Sequence, residues 1–304
     1  MHYPDKIQNN NHSLQWELTA LSECGRRDEN QDNYLLIDGL GGCRYLKNQE
    51  QQRNDLAHWP SNHLRLVVAD GMGGHKNGRQ ISEDLVELLM DLPFQDNIDS
   101  FKKALLAIHQ CLFSQYHQGP KTPGTTLVIA DIDDKGNAIV ANIGDSRAFL
   151  WQKKSWQTLS YDHTSSEFAW RDGEINDAKY EKALQHSDHR IVQAVGYGSI
   201  GIIPNRQGKK FRQHIEPLRL DLDTNHQDIK QYQLSSGDVL LLASDGLWSD
   251  QSNGYQPSAY ESEMNLILST YGRNQIQQVL REGGTDNVTI LAAACFLPAI
   301  PTRK

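Results

Sequence analysis

The stretch Leu66-Val67-Val68-Ala69-Asp70-Gly71-Met72-Gly73-Gly74 decides how the rest of the chain is read. An unbroken apolar run is the pattern of a strand covered on both faces, and this one stops at an acid followed by glycine. The last side chain of such a strand lies at a sheet edge, and glycine lets the backbone turn so that its own carbonyl faces the same point. Two distant stretches repeat the theme: Leu240-Leu241-Leu242-Ala243-Ser244-Asp245-Gly246, and Gly283-Gly284-Thr285-Asp286-Asn287-Val288-Thr289. Carboxylates gathered at one edge repel one another unless a divalent cation holds them, so Asp70, Asp245 and Asp286 read as a hard-metal site.

Working outward, Leu14 to Glu23 and Asn33 to Leu36 read as strands around the Arg27 to Asp32 loop, and Asp38 to His63 as a loop or hairpin insertion. Leu64 to Ala69 is a buried strand. Ile81, Leu85, Leu88 and Leu89, then Phe101, Leu105, Ile108 and Leu112, recur at helical spacing and predict two helices of a flanking layer. Thr125 to Asp131, Ala138 to Ile143 and Ala148 to Trp151 predict an antiparallel meander. Gln233 to Leu234, Val239 to Ala243 and Val288 to Ala294 add strands, Ser165 to Gln185 holds helical turns, and Ser199 to Gln231 is polar and irregular. Glu261 to Leu268 and Asn274 to Leu280 are candidate C-terminal helices. Strands grouped apart from helix pairs give an α+β class.

The chain has 304 residues and a formal net charge of -8, which argues against a nonspecific polyanion binder, so nucleic acid is not an expected partner. No apolar run is long enough to span a bilayer and Met1 to Gln15 lacks a signal-peptide pattern. A cytoplasmic protein with no membrane role is expected. Cys24, Cys43, Cys111 and Cys295 are scattered without a Cys-x-x-Cys pair, against a zinc knuckle or disulfide framework.

The stretches Arg27-Asp28-Glu29-Asn30-Gln31-Asp32, Asp70-Gly71-Met72-Gly73-Gly74-His75, Gly124-Thr125-Thr126, Asn142-Ile143-Gly144-Asp145-Ser146-Arg147, Asp162-His163-Thr164, Ala243-Ser244-Asp245-Gly246-Leu247 and Asp286-Asn287 resemble the ordered motifs of the metal-dependent protein phosphatases, the PPM or type 2C serine/threonine family. The Asp-Gly-Met-Gly-Gly form is similar to bacterial members. The resemblance implies a four-layer αββα sandwich, two mostly antiparallel sheets flanked by helices, with the metals at one end. It implies one catalytic domain over 14–296, a polar segment 1–13 expected to be disordered and a tail 297–304. Ile191 to Gly196 is similar to the family's Ile-x-x-Ala-x-Gly signal, and the region before Tyr232 corresponds to its variable flap.

Carried onto this sequence, the resemblance makes Asp70 the bridging ligand of two ions, with the Gly71 carbonyl and Asp32 on the second and Asp245 and Asp286 on the first. Oxygen ligands with many waters suit Mn²⁺ or Mg²⁺ rather than Zn²⁺. The implied reaction removes phosphate from serine or threonine of a phosphorylated protein, made by an opposing protein kinase, through attack of a metal-bridging hydroxide and without a phosphoenzyme. Arg27 matches the phosphate-binding arginine, whose planar fork meets two oxygens; Arg26 reads as a solvated charge. In bacterial relatives the acid matching Asp145 shares a third, weaker ion with that matching Asp245; as an alternative, Asp145 accepts hydrogen bonds within its own turn.

Arg147 reads as a structural partner for a carboxylate or carbonyl, and Thr125 and Thr126 as buried strand residues. His75 and His163 are candidates for the acid that protonates the leaving alkoxide, against a local hydrogen-bonding role for His163. Two departures stand out: Gln31 replaces a Glu found in many members, and Met72 a His found in eukaryotic ones. The rival readings are a noncatalytic phosphoprotein-binding scaffold with the same fold and a structural calcium protein. Mutually repelling carboxylates disfavour the first; the lack of an Asp-x-Asp-x-Asp-Gly loop disfavours the second.

Overall fold

The computed structural model describes residues 14–73, 77–117, 122–185, 190–204, 207, 210–215, 217–222, 225–248, 255–260 and 268–297. The chain runs through β1 (Gln15–Glu23), β2 (Asp32–Ile37), β3 (Gly42–Lys47), β4 (Glu50–Asp55) and β5 (Leu64–Met72) into helices α1 (Asn77–Asp91) and α2 (Ile98–Tyr116). Next come β6 (Gly124–Thr125), β7 (Leu127–Ile132), β8 (Asn137–Ile143), β9 (Arg147–Gln152) and β10 (Ser155–Thr158). Short helices α3 (Ser165–Arg171) and α4 (Asp177–Gln185) precede β11 (Gln193–Ala194), β12 (Gly198–Pro204), β13 (Lys210–Ile215) and β14 (Ile229–Gln233). The chain closes with β15 (Val239–Ala243), α5 (Leu268–Arg281) and β16 (Val288–Phe296).

One sheet has the order β1-β16-β15-β9-β10 and the other β14-β8-β7-β5-β2-β3-β4, with β6 paired to β5; β11-β12-β13 form a small third sheet. Alternate side chains of each central strand enter different cores. Leu36, Leu66, Val68, Val128, Leu240, Leu242 and Leu291 fill the space between the two large sheets. Leu35, Ile37, Val67, Ala69 and Ile129 point the other way, onto Ile81, Leu85, Phe101 and Leu105 of α1 and α2. On the far side, Phe149, Leu241, Ile290 and Ala292 pack against Leu268, Tyr271, Ile276 and Val279 of α5. Helices therefore cover both outer faces of a two-sheet sandwich, the expected αββα layering, and sheets buried on both faces explain the unbroken apolar runs.

Asp38 to His63 is built around the β3–β4 hairpin, which extends the sheet at its edge. The irregular segment from Ser199 to Gln231 contains the β12–β13 hairpin and most of β14, so the expectation of no regular structure is corrected. Of the strand expected at Gln233 to Leu234, Gln233 is the last residue of β14 and Leu234 follows it; Lys230, Gln231 and Gln233 are exposed, and an edge strand facing water lacks the apolar pattern that marks a strand in sequence. Asn274 to Leu280 lies within α5, while the proposed helical turn before Leu268, the segment 1–13 and the tail beyond 297 lie outside the described residues.

Arg65 anchors α1 to the sheet. Fully buried, it donates from Nε and Nη2 to Asp131 at 2.6 and 2.5 Å, and to the carbonyls of Leu89, Leu92 and Pro93 at 2.7, 2.6 and 3.1 Å. A cation set against the orphan carbonyls of a helix C-terminus satisfies them and opposes the helix dipole.

Candidate metal centre

The acids converge because each sits at a strand terminus on the same end of the sandwich. Asp32 opens β2, and in the antiparallel β2–β5 ladder it stands opposite Asp70 near the end of β5. Asp145 follows β8 within the turn to β9, Asp245 follows β15 at the head of a 3₁₀ turn, Asp245–Leu247, and Asp286 directly precedes Asn287 and β16. The approach is tight at two glycines. A Cβ on Gly71 would lie 2.1 Å from the Gly78 carbonyl oxygen, and one on Gly246 1.9 Å from that of Asn287.

Electrostatics record the crowding. Burial, then the charges of Asp32, Asp245, Asp145 and Asp286, hold the Asp70 carboxyl well above the usual carboxylate range. Asp32 is pushed up to about 7, chiefly by burial and with Asp245 and Asp286 adding to it, against hydrogen bonds from Ser244 and Thr289. Asp245 is raised to about 6 by burial and Asp286, while a hydrogen bond with Asp70 pulls it down. Asp145 is raised by burial and by Asp245 and Asp162, with Arg147 opposing.

One atom tests whether cations fit. Asp32 Oδ2 accepts from Ser244 Oγ at 2.7 Å, whereas Oδ1 is buried with no hydrogen-bond partner. A buried carboxylate oxygen left over in a pocket of like charge is suited to a hard cation. Among the described residues no group of three or more His, Cys, Asp or Glu side chains stands close enough together to hold a metal ion by itself. An open, oxygen-only cluster matches small hard cations, which keep several of their waters.

Arg27 is exposed and faces the cluster: Nη2 donates to Asp286 Oδ2 at 2.8 Å, and the charges of Asp286, Asp70 and Asp245 raise its basicity. Arg26 is exposed, as expected of a solvated charge. Gln31 turns aside, its Nε2 donating to Glu29 Oε2 at 3.3 Å, and Met72 is half-buried on β5. Arg147 has the structural role expected of it, forked onto Asp162 at 2.9 and 2.7 Å with its guanidinium 4.5 Å from the Trp248 ring centre. Thr125 and Thr126 are fully buried, and Thr126 Oγ1 accepts from the Asp70 amide at 2.9 Å. His163 is fully buried between Asp228, 3.0 Å from Nε2, and the Gly144 amide, which donates to Nδ1 at 3.2 Å. It props the turn that carries Asp145. His75 lies outside the described residues.

Sequence reasoning gave no role to two residues that build the site. Ser244 donates to Asp32 and accepts from the Thr289 amide at 2.9 Å, joining β2 to the β15–β16 pair. Asn287 donates to the carbonyls of Cys24 and Glu29 at 2.8 and 3.1 Å and accepts from the Gln31 amide at 2.8 Å, which fastens the Arg27 loop to the start of β16. The only signal for either was adjacency to a motif acid.

The sequence profile described as Protein phosphatase 2C matches residues 30–168. The serine/threonine phosphatase stp of Listeria welshimeri is 30% identical over 236 residues, 74% of this chain and 82% of that protein. Protein phosphatase PhpP of Streptococcus pneumoniae is 29% identical over 238 residues, 74% of this chain and 83% of its own. Among solved structures, the S. agalactiae serine/threonine phosphatase superposes with a TM-score of 0.62 at 21% identity, over 92% of this chain and 99% of that one. The catalytic domain of PstP, solved with two manganese ions, gives 0.58 at 22% identity, over 93% and 100%.

Proposed function

This chain belongs to the protein phosphatase 2C family, and from that premise we propose that Asp32, Asp70, Gly71, Asp245 and Asp286 hold its cations and that Arg27 holds the phosphate. It is a metal-dependent serine/threonine phosphatase acting on phosphorylated proteins. The finer assignments are two Mn²⁺ or Mg²⁺ ions, with a third, weaker ion between Asp145 and Asp245, in a single catalytic domain over 14–296. The two manganese ions in PstP support the count. An opposing protein kinase would supply the substrate, and a cytoplasmic enzyme with no nucleic-acid or membrane role is the reading we favour. Among the described residues no helix is long and apolar enough to cross a membrane.

When bound, divalent ions neutralise phosphoryl oxygens and make water acidic enough to attack at neutral pH. The chain's own groups prepare for that. Asp70, held at its amide by Thr126, is central to the cluster, and Ser244 steadies Asp32. Arg27 exchanges its Asp286 contact for the phosphate, whose paired oxygens match the guanidinium fork. His163, committed on both ring nitrogens, and Met72, which has no proton to give, are poor candidates for the acid that protonates the leaving alkoxide.

The observation that carries this reading is the opposed pair Asp32 and Asp70, with Asp32 Oδ1 buried and without a hydrogen-bond partner. The test is phosphopeptide turnover with Mn²⁺, Mg²⁺ or EDTA, beside calorimetric titration of the metal-stripped protein. Two ions bound and activity restored by metal are expected. Full turnover in EDTA, or metal binding unchanged in Asp70→Asn, would refute the assignment.

A further inference from the structure

We infer that the cleft walled by Tyr161, Tyr180 and Tyr255 beside the metal centre receives an aromatic side chain of the phosphoprotein, near in sequence to the phosphoserine or phosphothreonine. This rests on the phosphatase reading and adds a substrate class to it. The cleft encloses about 470 Å³, and Arg147 and Asp162 are among the residues that line it. Arg147 lies two residues beyond Asp145 and is paired in register with Ala243, two residues before Asp245, so this part of the cleft adjoins the turns that carry those acids. Whatever fills it while a phosphate sits at those acids belongs to the same substrate.

Its wall is prepared for a flat ring. Tyr161 stacks on His226 with ring centres 3.6 Å apart and planes within 9°. Behind them Trp170 packs on His226 at 4.4 Å and on Tyr180 at 5.2 Å, a continuous pile of rings. Glu167 fastens the pile: it accepts from Tyr180 Oη, is joined to His226 Nδ1 at 2.7 Å, and is itself held by Arg171. Tyr255 continues the wall, packing on Trp248, the ring beneath Arg147. Yet Tyr161 and Leu184, both of which line the cleft, are 36% and 42% exposed. Fixed rings beside exposed apolar surface in a concave site are what a binding pocket requires and what a core would have covered. Because the wall is already ordered, a ring that enters it meets little further entropy cost.

The experiment uses the full chain with Mn²⁺ and matched phosphopeptides that carry Phe or Ala at each of three positions on either side of the phosphoserine. At one position or more, Phe should raise kcat/KM about tenfold, the equivalent of one aromatic contact with its buried area. Tyr161→Ser, which removes the stacked ring, and Ala183→Trp, which fills the cleft, should each abolish that preference and leave the Ala peptide within about twofold. Preference that survives both variants, no position at which Phe beats Ala, or equal slowing of both peptides by both variants would overturn the inference. If wild-type protein turns over none of the peptides with metal, the phosphatase assignment itself fails, a result distinct from turnover without preference.

Discussion

Asp32 and Asp70 stand directly opposite each other across the β2–β5 ladder, 38 positions apart in sequence, the first buried and the second half-buried, each facing a partner of its own charge. Like charges in direct cross-strand register destabilise a sheet, and burial multiplies the effect. In the proposed site a cation held by these carboxylates would turn the repulsion into binding energy.

The metal-free protein should therefore lose stability as pH rises. Asp32 and Asp245 have folded-state pKa values near 7 and 6, above the ordinary 3.8, so the folded protein holds more protons than the unfolded chain between about pH 4 and 7. Stability is highest below that window and falls through it, each tenfold change in proton affinity being about 1.4 kcal/mol. Thermal unfolding in EDTA at pH 5 and pH 8 should give the lower Tm at pH 8, and Mn²⁺ should restore it there. A Tm that rises with pH in EDTA would contradict the electrostatics.

Asp70→Asn and Asp245→Asn should each abolish metal-dependent turnover and, without metal at pH 8, raise Tm by a few degrees, because each deletes a repelling charge from the cluster. Activity and melting measured on the same preparations separate a lost ligand from a damaged fold. Near-normal turnover at saturating Mn²⁺ would remove these acids from the site.

Arg27→Lys should raise KM for phosphopeptide several-fold with little change in Tm. The Arg27–Asp286 pair is exposed on the arginine side and adds little to stability, while a lysine keeps the charge and loses the fork. Arg26→Lys should be silent. Equal steady-state defects in the two variants would mean that the phosphate is held elsewhere.

Asp32→Ala should cost far more activity and Mn²⁺ affinity than Gln31→Ala. Asp32 points into the cluster, whereas the Gln31 amide is turned to Glu29. Mn²⁺ titrations of turnover and of binding check this; comparable losses would place Gln31 in the metal shell.

Far from the site, Arg65→Met should destabilise the fold by about 3–5 kcal/mol by stranding the buried Asp131 charge, with kcat/KM of the folded fraction unchanged. Adding Asp131→Leu should recover part of that loss in denaturant unfolding. No destabilisation in the single variant would mean that Asp131 finds another partner.

The strands that bear the acids were legible because covering both faces demands unbroken apolar runs, and Leu240 to Ala243 could be little else. The β12–β13 hairpin and the polar part of β14 were not, since their strand character comes from pairing with neighbours. Arg147 was legible as a structural cation, but its partner Asp162 became known only when the β10–α3 connection was traced. Ser244 and Asn287 look like ordinary turn residues in sequence. Their work is done on groups 212 and 256 positions away.

By itself the sequence determined which acids end strands, the layered α+β class and the family resemblance, because local apolar period and turn chemistry are written in consecutive residues. Tertiary structure alone decided that Asp32 faces Asp70, that Asp32 keeps one oxygen without a partner, and that Arg27 rests on Asp286. It also decided that four rings from 161, 170, 180 and 226 stack into one wall beside the acids. Register, burial and charge crowding depend on distances between segments far apart along the chain, and folding sets those distances.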